Sequence, residues 1–513
     1  MRLQLNAMVL VVFLGTTLGC SQRGPVSISP DPALPVWDRP SPADVVDFSL
    51  PADVLDAQDA RSVSAVQRLA PAVSMDIDAD RVYTLPELID IAQSSRPTTR
   101  AAWLRAREAA KAVEVVRSTY LPQLSANILA GYERVSRVEP AIPELGIGAG
   151  RLTAEGSQLV PNLTVEWLLF DFGARDAARD IAEQTALASN ILFHGAHQAV
   201  IFEVSEAYLR LLAARAEVRI NQERVKDAAA LREVAEERLR DGLAIKAEVA
   251  QARQIEARAQ FDLRLAETRV TTSHAALMQD MGLSPTSEMQ IADLSDRRLP
   301  KDLPAPLDEM IQSSLAKRPD IQAALARVRA TRSEVTLAEA QSRPTVAALA
   351  NIGPTYGRFG ITDSRFHGRV SRTDRLDNYL VGVVVTVPLF DGGRREVLQA
   401  QARLQSQAAQ EDLLEMRNSA AREIVEAYSL LQTSLAAYSA SGPLVDAGQE
   451  TFETALGLYE NGLASLVEVS ETKLALNDAR LIRTQAFADT FAAATALAFA
   501  TGRLTNRDSP FQL

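Results

Sequence analysis

Cysteine is almost absent from this sequence, with one residue in 513. A single cysteine excludes an intrachain disulfide and any metal cluster built from several cysteines. Histidine is also scarce, with four residues. His194 and His197 have a spacing that can share a metal on one helix face, but no third ligand accompanies them. The composition therefore predicts no bound metal and no small-molecule cofactor.

Sequence motifs of common enzyme chemistries are also missing. There is no Gly-Lys-Ser/Thr phosphate loop, no His-Glu-x-x-His zinc-protease motif and no credible pairing of a nucleophile with a base. The formal net charge of -11 argues against nucleic acid or an anionic membrane surface as a partner. We therefore expect a protein that is not an enzyme and that takes any energy it needs from a partner.

An apolar stretch at residues 5–18 precedes Gly19 and Cys20. This order predicts a signal peptide, residues 1–19, of the kind that bacterial lipoprotein processing removes, which leaves Cys20 as a lipidated first residue. Thr17 stands where a leucine is usual, so an ordinary secretory signal with an incidental cysteine is the alternative.

Residues 20–80 are rich in proline and aspartate. Proline breaks regular structure and aspartate keeps the chain solvated, so we expect a lipid-anchored linker. After the N-terminal stretch, no apolar run approaches the roughly 20 residues that a membrane helix needs. Any membrane crossing would therefore use β-strands.

The remainder of the chain contains a duplicated unit. Five short landmarks recur in the same order at a distance of about 220 residues, far longer than a solenoid repeat. Each copy has a short helix, two alternating apolar runs and then two long alanine-rich helical segments. The landmark pairs are Arg96-Pro97 and Arg318-Pro319, Phe170-Asp171 and Phe390-Asp391, Glu206-Ala207-Tyr208 and Glu426-Ala427-Tyr428, Gly242-Leu243-Ala244 and Gly462-Leu463-Ala464, and Met281-Gly282 and Thr501-Gly502.

Four segments alternate apolar and other residues as β-strands do, at residues 123–132, 162–169, 346–352 and 379–389. Their length suits tilted membrane strands, and the alternative is four strands of a soluble sheet. In lipid every backbone polar group must be paired, and the smallest barrels have about eight strands, so a membrane location requires several chains to share one barrel. The polar stretches from Glu133 to Gln158 and from Gly357 to Asn378 are predicted to be loops at the outward end.

A very long helix is predicted after the second strand of each copy. Residues 174–239 contain no proline, so this helix could extend on the order of 100 Å. Its counterpart covers residues 394–459, with a predicted interruption at Pro443. Apolar and alanine residues recur at coiled-coil spacing. Each helix is predicted to turn back at a glycine, Gly242 or Gly462, because glycine allows a positive φ.

The duplicated α-β-β-α units, the Phe-Asp-Gly-Gly strand exit, the Tyr-x-x-Gly hairpin tip and the lipoprotein signal together resemble TolC-type outer-membrane efflux proteins. The resemblance covers one repeat at residues 81–300 and a second at 301–505, followed by a tail at 506–513. It implies an α+β membrane protein, a homotrimer in which four strands per chain form a twelve-stranded outer-membrane β-barrel. Long coiled-coil hairpins would form a periplasmic α-barrel that meets a periplasmic adaptor and an inner-membrane pump.

The resemblance also implies a periplasmic gate near the hairpin tips. Glu468 and Glu471 match acidic residues that ring the narrow tunnel entrance in the family. Tyr459 matches a tyrosine that links neighbouring helices to an acid, here Glu248. Ala464 stands where the family's best-known arrangement has an arginine, so that latch is missing or replaced. The alternative is that these acids are solvated residues of a coiled-coil surface.

The sequence thus predicts a passive export duct in the outer membrane that extends into the periplasm. A duct for type I protein secretion has the same architecture. A periplasmic coiled-coil adaptor is a candidate of another class, but adaptors usually carry one hairpin, and two are predicted here. The sequence does not identify the substrate as a drug, a metal ion or a polypeptide.

Overall fold

The computed structural model describes residues 78–293, 299, 306–365 and 368–504. The predicted signal peptide, Cys20, nearly all of the predicted linker and the tail at 506–513 lie outside these ranges. Among the helices within them, none is both long and apolar enough to span a membrane.

The described chain follows one order of elements twice. The first copy contains β1 (Val82–Tyr83), α1 (Leu85–Ser95), α2 (Pro97–Ser118), β2 (Gln123–Glu139), β3 (Gly150–Phe170), α3 (Ala174–Arg240) and α4 (Lys246–Asp280). The second copy contains β4 (Gln290–Ile291), α5 (Leu307–Leu315), α6 (Pro319–Ala340), β5 (Thr345–Asp363), β6 (Gly368–Thr386), α7 (Arg394–Glu460) and α8 (Leu466–Ala500).

The four long strands form one antiparallel sheet in the order β2-β3-β5-β6. The strands are 17, 21, 19 and 19 residues long, so the prediction of long loops at 133–158 and 357–378 was wrong over most of both stretches. Polar cross-strand pairs continue the ladder beyond the apolar alternation. Ser136 lies 3.0 Å from Thr153 between their hydroxyl oxygens, and Gln158 donates to Glu133 at 2.8 Å.

The sheet has two different faces. One of them, the polar face, carries cross-strand hydrogen bonds between amide and hydroxyl side chains, with Asn351 donating to Thr164 at 3.1 Å and Asn378 to Thr355 at 3.1 Å; the Ser136–Thr153 pair lies on the opposite face. The other face, here called the apolar face, carries large exposed apolar side chains, among them Leu124, Ile128, Tyr132, Leu163, Ile352, Tyr379, Val381, Val383 and Val385.

The two longest helices, α3 and α7, each have 67 residues and so extend about 100 Å. The predicted break at Pro443 is absent, because α7 runs through it. Proline removes one helical hydrogen bond, but α8 packs closely along this part of α7. A Cβ atom added at Gly448 would lie 3.4 Å from Leu476 Cα, so the small residue permits the close contact that supports the helix.

Within each repeat, the Arg-Pro landmark contacts the later glycine landmark, in a region here called the base. Gly282, with φ +74°, follows α4 and packs on the start of α2, where an added Cβ would lie 2.9 Å from Arg96 Cα. Gly502, with φ +66°, packs in the same way on Arg318 at 3.3 Å. Arg318 also donates to the Ala500 carbonyl at 3.0 Å. The recurrence of Arg-Pro and of the later glycine therefore reflects one docking contact made twice.

An Asp and an Arg hold each corner where a strand passes into a long helix. Asp171 Oδ2 accepts hydrogen bonds from the backbone N–H and from Nε of Arg175, both at 2.9 Å. Arg175 Nη1 also donates to the Leu168 carbonyl at 2.7 Å. Arg395 binds Asp391 Oδ2 through Nε at 2.7 Å in the second copy. The corner thus caps the helix and satisfies the last strand carbonyls together.

We expect Gly282→Ala to lower the melting temperature more than Gly242→Ala does. Both residues have positive φ, which costs an alanine about 1–2 kcal/mol, but a Cβ at Gly242 meets nothing within 4 Å. The extra loss at Gly282 comes from the backbone of Arg96. Thermal unfolding followed by the helical circular-dichroism signal compares the two variants, and equal melting temperatures would contradict the docking contact.

Candidate functional site

Both helical hairpins end in a turn closed by a left-handed glycine. Gly242 has φ +78° and Gly462 has φ +75°. In the first tip, the Leu243 N–H donates to the Arg238 carbonyl at 2.8 Å and the Gly242 N–H to the Leu239 carbonyl at 3.2 Å. The second tip has the same two bonds. This pairing satisfies the free carbonyls at the helix end, and it needs a residue that tolerates positive φ.

The two tips of one chain pack against each other through a small set of buried side chains, here called the tip cluster. Its members are Ala235, Val249 and Ala252 from the first hairpin and Ala455, Tyr459, Leu466 and Val469 from the second. Ala464, at the position where the family arrangement has an arginine, is partly buried against this cluster. The methyl group of Ala464 therefore packs against the tip cluster, where the family arrangement has an arginine side chain.

Tyr459 is the largest side chain of the tip cluster and is 3% exposed. Arg238, near the end of α3, lies over its ring with Cζ 4.7 Å from the ring centre. Arg238 Nη1 also donates to the Tyr459 carbonyl at 3.1 Å. A cation over an aromatic face and a charged donor at a helix C-terminus are both stabilising. One arginine therefore ties the first hairpin to the second at the tips.

The Tyr459 hydroxyl has no hydrogen-bond partner among the described residues. Burial raises the pKa of Tyr459; the positive charge of Arg238 opposes this and the negative charge of Glu248 adds to it. Glu248 therefore lies close enough to act on the tyrosine electrostatically. The Tyr459 hydroxyl and Glu248 are not hydrogen-bonded within the described chain, and the link between Tyr459 and this acid stays a prediction.

Glu468 and Glu471 are both exposed at the start of α8. Their spacing of three residues places them on the same side of the helix. The Glu468 N–H donates to the capping Ser465 hydroxyl at 3.3 Å, and the glutamate side chain lies in the first helical turn, where a negative charge is favourable. Neither glutamate belongs to the tip cluster, so the acids and the tyrosine form two separate groups at the tip.

Sequence reasoning missed Arg238. The residue lies four before Gly242, but Leu458 holds the equivalent place before Gly462, so the duplication gives no signal for it. Farther from the tip, Lys473 of α8 pairs with Asp227 of α3 at 2.8 Å. Contacts between the two hairpins therefore continue away from the tip.

A model of the family described as outer membrane efflux protein matches residues 88–283 and 310–503. The chain belongs to this family. The match confirms the resemblance to TolC-type proteins and the α+β fold class with long helices joined to a sheet.

Several relatives of this efflux protein cover most of its length. The pyoverdine export outer membrane protein OpmQ of Pseudomonas putida is 27% identical over 443 residues, which are 83% of this chain and 87% of OpmQ. Protein CyaE of Bordetella pertussis is 28% identical over 78% of this chain and 81% of its own. The structure of the outer membrane protein VceC of Vibrio cholerae superposes with a TM-score of 0.66 at 21% identity, covering 82% of this chain and 96% of VceC.

The efflux protein is therefore an outer-membrane channel of a tripartite system. Members of the family are trimeric ducts that work with adaptors and inner-membrane pumps, and the family is one of channels rather than enzymes.

We expect Arg238→Ala to raise the resting conductance of the purified channel in planar bilayers. The change removes the cation over Tyr459 and the donor to its carbonyl, which are worth about 1–3 kcal/mol together, and so loosens the contact between the tips. Arg240→Ala is the matched control, because Arg240 is exposed on the next part of the same helix. Parent-like conductance in Arg238→Ala would show that this contact does not hold the tips closed.

Proposed function

We propose that three copies of this chain form a continuous duct, with one β-barrel in the outer membrane and a helical tunnel below it. This proposal rests on the two open edges of the sheet. In the described part of the chain, β2 and β6 each pair along one edge and leave the other edge unpaired. Unpaired backbone groups are not tolerated in lipid. Pairing β6 of one chain with β2 of the next uses both edges, and three chains then give twelve strands.

The apolar face supports contact with lipid. Ile128, Val381 and Tyr379 are 76%, 73% and 80% exposed there, and water would disfavour such side chains in a row. Trp167 lies on the same face near the helices, where its indole donates to the Tyr120 carbonyl at 2.9 Å. Aromatic residues with a polar tip commonly mark the edge of the hydrocarbon layer.

The long helices would carry the tunnel through the periplasm to the adaptor and the pump. Cargo would cross passively, because the energy comes from the pump. Glu468 and Glu471 would line the entrance, where three-fold symmetry brings three copies of each carboxylate around one axis.

The cargo that we propose is a small organic molecule. The OpmQ relatives are named for the export of pyoverdine, which favours this class over a polypeptide. Cells that lack the chain should then retain such a molecule. Unchanged small-molecule export together with loss of a secreted protein would instead favour the type I secretion duct.

We propose, in addition, that the mature chain is anchored through lipid on Cys20, within the outer membrane. The support is the order of the apolar stretch, Gly19 and Cys20. Mass spectrometry of the mature N-terminus tests this, and an N-terminus without lipid would identify an ordinary secretory signal.

The trimer is tested by native mass spectrometry of protein extracted from the outer membrane in detergent. Three chains are expected, because the two open edges of one sheet pair with two neighbours. A stable monomer that keeps its β-sheet signal in circular dichroism would contradict the shared barrel.

Replacement of both Glu468 and Glu471 by Ala should reduce the preference of the channel for cations and weaken block by trivalent cations. Rings of carboxylates attract cations, and neither residue belongs to a buried seam, so the trimer should persist. Planar-bilayer recordings measure both properties. Glu460→Ala serves as the control, because Glu460 is an exposed acid at the end of α7. A double variant that conducts and blocks like the parent would place the acids on a solvated surface.

A further inference from the structure

We propose that the sheet end farthest from the helices binds the phosphate groups of the outer-leaflet glycolipid through Arg134, Arg358 and Arg375. This inference rests on the proposed trimeric barrel. It assigns a lipid ligand to an end of the sheet to which the efflux function gives no role.

The three arginines lie on the apolar face. Arg358 is two residues beyond Tyr356 on β5, and Tyr356 pairs with Arg375 on β6. Arg134 is two residues beyond Tyr132 on β2. Side chains two apart on a strand share a face, so each arginine stands on the same side of the sheet as the tyrosines. All three arginines are exposed.

The height of these arginines fits the outer headgroup layer. From Val385 to Arg375 strand β6 advances ten residues, which is about 34 Å along the strand and about 26 Å along the membrane normal at a tilt of roughly 40°. The apolar band of a membrane barrel is about 25 Å tall. If Val385 lies at the inner edge of the hydrocarbon, Arg375 therefore lies at its outer edge, and Arg134 and Arg358 lie slightly beyond.

Charged side chains on the apolar face gather at one end, where Glu155 and Asp377 accompany the arginines. Toward the helices the face carries Trp167, Val346 and Val385, with Leu163 and Ile352 further along. Near that end, Arg175 and Arg395 are bound to Asp171 and Asp391 at the strand-to-helix corners. Guanidinium groups on the apolar face thus gather at the end that would meet the outer leaflet, where the headgroups of the glycolipid carry phosphate.

The local contacts suit phosphate recognition. Arg375 is paired with Asp377 at 2.9 Å and lies 5.8 Å from the Tyr356 ring centre. Arg134 lies 3.6 Å from Glu155. These exposed pairs contribute little stability by themselves, but they hold the guanidinium groups in place. Each guanidinium has five donors in a planar fork, so donors remain for bidentate binding of phosphate.

Assembly of the trimer would strengthen the site. The pairing of β6 with β2 of the next chain places Arg375 and Arg134 on neighbouring strands at each subunit boundary. A glycolipid with two phosphates on its disaccharide could then contact both chains at once. The proposed ligand is therefore the phosphorylated glycolipid and not phosphatidylglycerol, whose headgroup offers a single phosphate.

The experiment measures the binding of purified lipid A to the intact trimer in detergent by native mass spectrometry. The comparison ligands are dephosphorylated lipid A and phosphatidylglycerol. We expect lipid A to bind the parent at least tenfold more tightly than either, and the triple variant R134Q/R358Q/R375Q to bind it about tenfold more weakly or worse. Arg137→Gln is the control, because Arg137 is exposed on β2 but lies on the polar face.

Equal binding of lipid A and its dephosphorylated form by the parent would overturn the proposal, and this arm needs no variant to fold. Equal binding of phosphatidylglycerol would overturn the choice of glycolipid. Parent-like lipid A binding by a trimeric triple variant would overturn the assignment of the arginines. Failure of the barrel itself is recognised separately, because the parent would then show no trimer mass.

Discussion

The need to pair every backbone polar group in lipid is the constraint on which the rest of this architecture depends. It explains why the apolar part of each strand is fully paired; the strands reach 17 to 21 residues because the same ladder continues through polar residues beyond that part. It also explains the corners. Arg175 binds the carbonyls of Leu168 and Leu169 where β3 stops, and Asp171 caps the helix that follows. The strand thus ends with its last carbonyls satisfied, and α3 can begin at once.

The long helices are subject to a different constraint, because no thick hydrophobic core surrounds them along their length. Two helices of 67 residues cannot be stabilised by local propensity alone and need packing along their whole length. Alanine allows this packing, because small residues between the helices let them approach closely. Ala252, Ala266 and Ala235 are completely buried. Larger apolar side chains gather mainly at the base, around Leu88, Leu211 and Met281. The base is therefore the best packed part, from which both hairpins extend.

Sequence periodicity located the four strands and the hairpin glycines, because alternation and positive φ leave local signatures. The sequence-based prediction failed where a structural feature depends on residues that are distant in the sequence. The strand ends at 133–158 and 357–378 were missed because cross-strand pairing, not apolar alternation, maintains them. The helix through Pro443 was missed because the support comes from α8. Arg238 was missed because its importance lies in a tyrosine 221 residues away in the sequence. The acids Glu468 and Glu471 could be named through family resemblance, but a single chain does not bring them around an axis.

The contact between Arg238 and Tyr459 also shows what the duplication made possible. The position equivalent to Tyr459 in the first copy is Leu239, and the position equivalent to Arg238 in the second is Leu458. The two copies therefore differ at both positions. The first hairpin supplies the cation and the second supplies the aromatic ring, so the two halves are complementary at the tips. The contact between Arg238 and Tyr459 thus joins the two tips of one chain at one defined place.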